Sequence, residues 1–490
     1  MISWGISANS HDGSLAVFDN NELVFASHTE RFSGLKNDPH LNKPLLDYAR
    51  QWGEPNEVIW YEKPFKKTVR QLYAGQGWNW NENNVKSYLK QFNINAPLGY
   101  SNHHESHAAA GYYTSGFKDA TVIVLDSIGE WETYTIWEGN GDKLKKVYSQ
   151  EYPHSVGLWY SAMTQRVGLK PNEDEYILMG MAAYGDQREH YHHMRETFFE
   201  LGPHDHWTFP DVKFKHNLHR GCKWYREGYN KWTDKLNIAA ATQSIYEDIF
   251  IGIVEHCFNK YKSKNLVVMG GCALNCKANS KASAYYKNVW IMPNPGDAGS
   301  SVGAVLAHKG KHIKWQSPYL GYDIKGEYPV DNLFKKLKST GMVGVANGKA
   351  EFGPRALGNR SLLADPRGQD MKDKVNSIKK RQKYRPFAPV ILAEHAEQYF
   401  YGDVGPYMQF TSKCRKAKDF PAIVHVDGTS RVQTVGKDDN TGLRELLERW
   451  YGKTGCPMLL NTSLNIKGKP MVNNEKDAKK FAHKYGVSVY

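Results

Sequence analysis

The apolar positions of this chain come mostly in short runs separated by polar turns. Leu15-Ala16-Val17-Phe18 and Leu23-Val24-Phe25-Ala26 follow the polar stretch Asn9-Ser10-His11-Asp12-Gly13-Ser14. Strand, turn, strand, turn, strand is the simplest parse of this beginning. The plan recurs from Thr121: an apolar run to Asp126, a turn through Gly129, a segment Thr133 to Trp137, a turn at Asp142 and a further strand near Val147. The repetition predicts two related halves, each opening with a hairpin whose first turn carries an Asp; two unrelated hairpins is the other reading. Leu236 to Tyr261 is the longest amphipathic pattern and predicts a core helix. Asn265 to Met269 then reads as a short buried strand running into Gly270-Gly271-Cys272-Ala273-Leu274-Asn275.

A second kind of signal lies between these halves. In Asn102-His103-His104-Glu105-Ser106-His107 the Asn and Glu have capping-box spacing, so a helix is expected to start here. His103 and His107 then share one face. A buried strand ending at Asp126 presents its carboxylate where α/β sheets place ligands. Two imidazoles and a carboxylate suit a divalent metal, or equally a set of ordinary hydrogen bonds at a helix start. Gly270-Gly271 between strand and helix suits close approach of a phosphate or ribose, a weak signal on its own. Gly296 to Gly303 repeats the device with Asp297 in its turn. Lys36, with Arg31, sits in a loop suited to phosphate or to a solvated charge run. His11-Asp12 suits a general base or an Asx-type turn.

Composition adds one feature to an otherwise ordinary globular chain. Across 490 residues the net charge is +13, which suggests an anionic partner or a generic basic surface. Regions near 63–95 and 204–232 interleave aromatic residues with Lys and Arg without a clean period and read as irregular insertions. Six scattered cysteines form no disulfide framework. With no apolar run of membrane-spanning length and no leader-like start, a cytoplasmic location is expected.

Beyond a boundary near Ser317-Pro318 the motifs become specific. They are Glu351-Phe352-Gly353-Pro354-Arg355-Ala356-Leu357-Gly358-Asn359-Arg360-Ser361, Lys379-Lys380-Arg381, Val426 to Val435 with Arg431, and Asn461-Thr462-Ser463-Leu464-Asn465. Recurrent Arg and Lys inside Gly/Pro turns suit a small phosphate compound. These strings, with His103-His104-x-x-His107-Ala108-Ala109 and Glu175 to Gly185, resemble the O-carbamoyltransferase family. The family often has Lys where Ile177 stands here.

The resemblance implies an α/β fold: an N-terminal duplicated actin-like ATPase domain, similar to tRNA threonylcarbamoyl transferases, over 1–325. A C-terminal α+β domain over 326–490 resembles threonylcarbamoyl-AMP synthase (YrdC-like). It further implies Fe(II), with Mn or Zn as substitutes, held by His103, His107, Asp126 and Asp297. ATP with Mg2+ would bind near Gly129, Gly270, Gly271 and Asn275. Carbamoyl phosphate would bind through Arg355, Lys380, Arg431, Ser463 and Asn465, giving a carbamoyl-adenylate whose carbamoyl group passes to a hydroxyl, with His11, Asp12 and Lys36 assisting.

The family's acceptors vary, so the fold does not name the substrate. The charge and the basic aromatic insertions point to DNA carrying a hydroxymethylated pyrimidine, 5-hydroxymethylcytosine first, in a phage-type enzyme, with Lys213, Lys215, Trp224 and Arg226 as contacts. A sugar or antibiotic hydroxyl is the alternative, and a nucleotide-gated binding protein without transfer is a second. A homodimer is compatible with all of these.

Overall fold

The structure, a computed structural model, describes residues 1–382, 384–439 and 441–490. Two runs of the chain follow one plan. The first holds strands β1 (Ile2–Ser7), β2 (Ser14–Asp19), β3 (Glu22–His28), β4 (Glu57–Trp60) and β5 (Leu98–Tyr100). The second holds β6 (Asp119–Gly129), β7 (Glu132–Asn140), β8 (Lys143–Glu151), β9 (Asn265–Met269) and β10 (Asn288–Trp290). In each run the opening strand pairs in parallel with the fourth, and the fourth with the fifth. β6, β7 and β8 form an antiparallel meander. The chain is thus α/β with a duplicated plan.

The chain folds into two compact units. The first contains residues 1–7, 20–22 and 55–315. Its central strands are apolar on both faces, as parallel strands covered on both sides must be: Val122 to Leu125 and Leu266 to Met269 are all buried. The Trp232–Lys260 helix packs its apolar positions inward, as its periodicity predicts. The helices His103–Ser115 and Ser300–Lys309 meet through Gly303, where a Cβ would lie 1.8 Å from the Ser106 carbonyl oxygen. Only glycine permits this approach, which brings the first turns of both helices together.

The second unit contains residues 8–19, 23–54 and 316–490, so the division is not a single cut in the chain. Its strands are β11 (Tyr319–Ile324), β12 (Met342–Ala346), β13 (Gly348–Glu351), β14 (Arg360–Ala364), β15 (Ala388–Leu392), β16 (Phe400–Tyr401), β17 (Ser412–Cys414), β18 (Thr429–Ser430), β19 (Gln433–Val435) and β20 (Met458–Ser463). The main sheet has the order β12-β14-β20-β15-β19 and is antiparallel except for β15 with β19. The helices Val330–Thr340, Thr441–Thr454 and Glu475–Tyr485 contribute Leu333, Leu337, Leu446, Leu447 and Phe481 to its core. Residues 8–19 and 23–54 belong to this unit, and specific contacts tie the latter segment to it. Arg31 Nη2 donates to the Gly353 carbonyl at 2.9 Å, and the Asp323 amide donates to Tyr48 Oη at 3.0 Å.

The first basic aromatic region departs from the irregular structure expected of it, because Pro64–Tyr73 is a helix. Its buried face is polar (Lys67, Thr68, Arg70), whereas Phe65, Leu72 and Tyr73 are exposed. A pattern inverted in this way hides the helix from any reading based on apolar periodicity. No helix among the described residues is long and apolar enough to cross a membrane.

Candidate active site

The His103–Ser115 helix starts as its spacing predicts, with the Asn102 amide donating to Glu105 Oε2 at 3.4 Å. One turn apart, His103 and His107 bring their Nε2 atoms to 3.2 Å. Asp126, near the end of β6, places Oδ2 at 3.2 Å from His103 Nε2 and 3.8 Å from His107 Nε2. Asp297, in the turn before the Ser300–Lys309 helix, places Oδ1 at 3.5 and 3.3 Å from the same two nitrogens. All four residues are buried, and one donor atom from each lies within 4.8 Å of the others. His104 turns away, its Nδ1 meeting Thr135 Oγ1 at 3.0 Å.

The donor set fits a divalent cation. Two nitrogen and two oxygen donors from buried side chains suit iron, manganese or zinc. Two carboxylates side by side in a dry site repel unless a cation lies between or beside them. Burial alone would lower the basicity of His103, but the Asp297 charge, with contacts to Asp126, Asp297 and Glu62, outweighs it and raises the pKa well above normal. Burial and the Asp297 charge push Asp126 upward, and the hydrogen bond from His103 with the two imidazole charges brings it below the usual carboxylate range. His104 is held to about 3 chiefly by burial.

The glycines singled out in the sequence serve this cluster directly. The Gly271 amide donates to Asp126 Oδ1 at 3.1 Å. Gly270 has φ of +90°, and a Cβ there would meet the Leu125 carbonyl oxygen at 2.1 Å. A Cβ on Gly129 would lie 2.1 Å from His103 Cδ2, so this glycine makes room for the imidazole. Asn275 caps the short helix after it, accepting from the Ala278 amide at 3.2 Å. It also exchanges two 3.0 Å amide hydrogen bonds with Gln243 of the Trp232–Lys260 helix. The sequence did not flag Glu62, which is buried beside His103, or Gln243.

A second cluster lies in the second unit. Lys379 ends the Gln369–Lys379 helix and is buried, with Nζ at 2.5 Å from the Ser463 carbonyl, 3.0 Å from Ser463 Oγ and 2.7 Å from Asn465 Oδ1. Lys380, the residue expected here, is exposed in the left-handed C-cap position. One step past the last helical turn carries its side chain off the buried face. Burial, then the charges of Arg381 and Arg385, pushes the Lys379 pKa well below the usual lysine range.

An amide network ties neighbouring segments to this cluster. Asn461 Nδ2 donates to the Ala356 carbonyl at 3.0 Å and to Gln433 Oε1 at 2.7 Å, and Gln433 Nε2 donates to the Leu357 carbonyl at 3.0 Å. It therefore links the loop bearing Arg355, the strand after Arg431 and the strand ending at Ser463. Arg431 Nε is buried without a hydrogen-bond partner among the described residues. His11, Asp12 and Lys36 also fall in this unit. His11 Nδ1 is 3.4 Å from Asp12 Oδ2, and Lys36 Nζ donates to Glu30 Oε2 at 2.8 Å.

The two basic aromatic regions meet in the first unit. Gln76 Nε2 lies 3.2 Å from His219 Nε2, and the Tyr152 ring packs on both Tyr73 and His219. The first region is anchored at the cluster's edge, where Lys63 donates its amide to Glu130 Oε1 at 2.6 Å and Arg70 Nε donates to the Glu130 carbonyl at 3.0 Å. Part of the aromatic content is internal packing, since Phe198, Phe199, Phe214 and Tyr225 are buried and in mutual contact. Trp224 rests on Phe198, and Lys215 Nζ donates to the Glu196 carbonyl at 2.7 Å. Arg226 stacks on Tyr229. Trp78, Trp80, Tyr229 and Trp232 remain exposed, and Lys213, Arg220 and Lys223 lie at the surface.

Family models and curated relatives point to one family. Residues 56–306 match the family described as Carbamoyltransferase N-terminus, and residues 334–490 match Carbamoyltransferase C-terminus. The chain is 28% identical to a 3'-hydroxymethylcephem-O-carbamoyltransferase of Amycolatopsis lactamdurans, over 98% of this chain and 96% of that protein. It is 31% identical to nodulation protein NolO of Bradyrhizobium diazoefficiens, over 77% and 75% of the two chains. Full-length HypF in a phosphate- and nucleotide-bound form aligns with 63% of this chain and 54% of its own, at 12% identity and a TM-score of 0.36. The chain belongs to the carbamoyltransferase family and is an O-carbamoyltransferase.

Proposed function

We propose that this enzyme uses ATP and carbamoyl phosphate, through a carbamoyl-adenylate, to carbamoylate a hydroxymethyl group on a pyrimidine of DNA. In the first half-reaction carbamoyl phosphate, ATP and water give carbamoyl-adenylate, phosphate and pyrophosphate. Lys379, Arg431, Ser463 and Asn465 suit the anions of that step: they combine cations with hydroxyl and amide donors in one unit. Arg355, on the loop held by Asn461, belongs with them. In the second half-reaction the acceptor oxygen bonds to the carbamoyl carbon, AMP leaves, and the hydroxyl proton passes to a base. His11, beside Asp12, is our candidate for that base, since a hydroxyl is a poor nucleophile until deprotonated.

His103, His107, Asp126 and Asp297 would hold the metal, iron(II) by the family resemblance. A cation bound there supplies Lewis-acid polarisation to a carbonyl or phosphoryl oxygen. The four side chains hold their donor atoms together in a buried site, where the close approach of Gly129 and the Gly271 amide help set their positions.

The observation that carries the acceptor reading is the meeting of the two basic regions through Gln76 and His219, the first region being tied to Glu130 through Lys63 and Arg70. Their exposed indoles and surface lysines suit a polyanion with bases to stack on. A hydroxylated small molecule is the second reading, favoured by similarity over nearly the whole chain to a protein named as acting on a hydroxymethylcephem. The test is mass spectrometry of nucleosides after hydroxymethylated DNA is incubated with enzyme, ATP, Fe(II) and carbamoyl phosphate. A nucleoside gaining one carbamoyl group supports the DNA acceptor. Consumption of carbamoyl phosphate with unmodified nucleosides refutes it.

A further inference from the structure

We propose that Glu62 is a positioning residue for His103, fixing which of its imidazole nitrogens carries the proton. The proposal rests on reading that cluster as a metal site. Sterics already hold the ring. The Tyr61 ring packs beside it at 5.3 Å between centroids, and Gly129 approaches so closely that a Cβ would overlap it. What sterics leave open is the tautomer. Nε2 points at the carboxylates of Asp126 and Asp297, while Nδ1 is buried with no hydrogen-bond partner among the described residues and faces Glu62 Oε2 at 3.8 Å. That distance is ion-pair reach rather than a hydrogen bond. A proton on Nδ1 is thereby favoured, leaving the Nε2 lone pair for a cation.

Glu62 reaches this position at a fully buried site because a second side chain neutralises it. Lys67 Nζ lies 2.7 Å from Glu62 Oε1, and Lys67 is itself buried on the first turn of the Pro64–Tyr73 helix. The pair is electroneutral. It therefore orients His103 without adding a third negative charge to the two carboxylates of the cluster. His107 is supported differently, with Ser300 Oγ 3.4 Å from its Nδ1. The two histidines are thus unequal: one is backed by a carboxylate and one by a hydroxyl, and His103 is the stronger donor.

The test uses the full chain with Co(II) as probe. Glu62→Gln keeps the shape and removes the charge. We expect Co(II) affinity to fall about 10- to 100-fold and the visible Co(II) spectrum to shift, with carbamoyl-phosphate-dependent pyrophosphate release unchanged. Affinity within twofold of wild type and an identical spectrum would overturn the proposal and leave Glu62–Lys67 as a packing ion pair. Should Glu62→Gln fail to fold, 15N-histidine spectra of zinc-loaded wild type decide the matter. Metal at His103 Nε2 with the proton on Nδ1 is expected, and metal at Nδ1 overturns it. If wild type binds neither Co(II) nor Zn(II), the metal reading falls first and this proposal with it.

Discussion

The Gly271 amide donates to Asp126 Oδ1 at 3.1 Å, so the glycine turn after β9 orients a carboxylate on the neighbouring strand β6. A side chain cannot be added to this turn cheaply. Gly270→Ala forces a Cβ onto the Leu125 carbonyl and an alanine into φ of +90°. Strain of this kind costs about 1–3 kcal/mol, before the clash is counted. We expect a lower melting temperature and weakened metal binding, read by calorimetry and Co(II) titration. Wild-type values for both would show that the turn is slack.

Gly129→Ala acts on the other side of the cluster. Its Cβ would occupy the space of the His103 ring, so the imidazole must move or the β6–β7 turn must open. Transfer is expected to fall at least tenfold, while pyrophosphate release in the second unit is expected to persist. Equal loss of both would mean that the two half-reactions share one site.

On the proposed two-step reading, the half-reactions should also be separable from the other end. Lys379→Met or Ser463→Ala removes charge-assisted hydrogen bonds from the second cluster. Each should cut carbamoyl-phosphate-dependent pyrophosphate release, while carbamoyl transfer from a supplied carbamoyl-adenylate survives. His107→Ala should give the opposite pattern.

How much of this was legible depends on which physical signal carried it. The duplicated plan was legible, because apolar strands bounded by polar turns repeat in β1–β3 and β6–β8. His103, His107 and Asp126 were legible because helical spacing and a strand end place them. Asp297 was found as a ligand only by resemblance, since nothing local ties it to Asp126, His107 and His103, which lie 171 to 194 positions away. The Pro64–Tyr73 helix was missed because its buried face is Lys67, Thr68 and Arg70. Glu62 was missed for the same reason: buried polar pairs look like surface residues in sequence. Lys379 and Lys380 differ by one position at a helix end, and only the backbone conformation decides which points inward. The grouping of residues 8–19 and 23–54 with the C-terminal part needs long-range contacts such as Arg31 to Gly353, which have no periodicity.

Lys379 makes the second cluster sensitive to pH. Its folded pKa is depressed by burial and by Arg381 and Arg385, so between that value and the ordinary lysine value the unfolded chain binds more protons than the folded one. Stability contributed by this group therefore rises with pH across that window. A bound phosphate anion favours the ammonium form, so anion binding should take up a proton when pH lies above the depressed value. Calorimetric titration of carbamoyl phosphate in buffers of different ionisation enthalpy would show the uptake, and Lys379→Met should abolish it. Proton uptake unchanged in that variant would move the effect to another group.

The acceptor surface can be tested through salt. If the two joined insertions hold DNA, binding releases counterions and affinity falls steeply with ionic strength. Lys213, Arg220 and Lys223 are exposed, whereas Lys215 and Arg226 are engaged within the insertion, so the first three are the informative ones. Replacing all three with Gln should flatten the salt slope and raise the KM for DNA, with adenylate formation unchanged. Trp78, two residues after Gln76, is 55% exposed. Trp78→Ala should weaken binding by about 1–3 kcal/mol if its ring stacks on a base. Trp224→Ala, by contrast, should also lower the melting temperature, because that ring rests on Phe198. Anisotropy over a salt series, with and without hydroxymethyl groups in the duplex, separates these effects. A triple variant with the wild-type slope, together with an unchanged Trp78→Ala, would remove DNA from this surface and leave a small hydroxylated acceptor in its place.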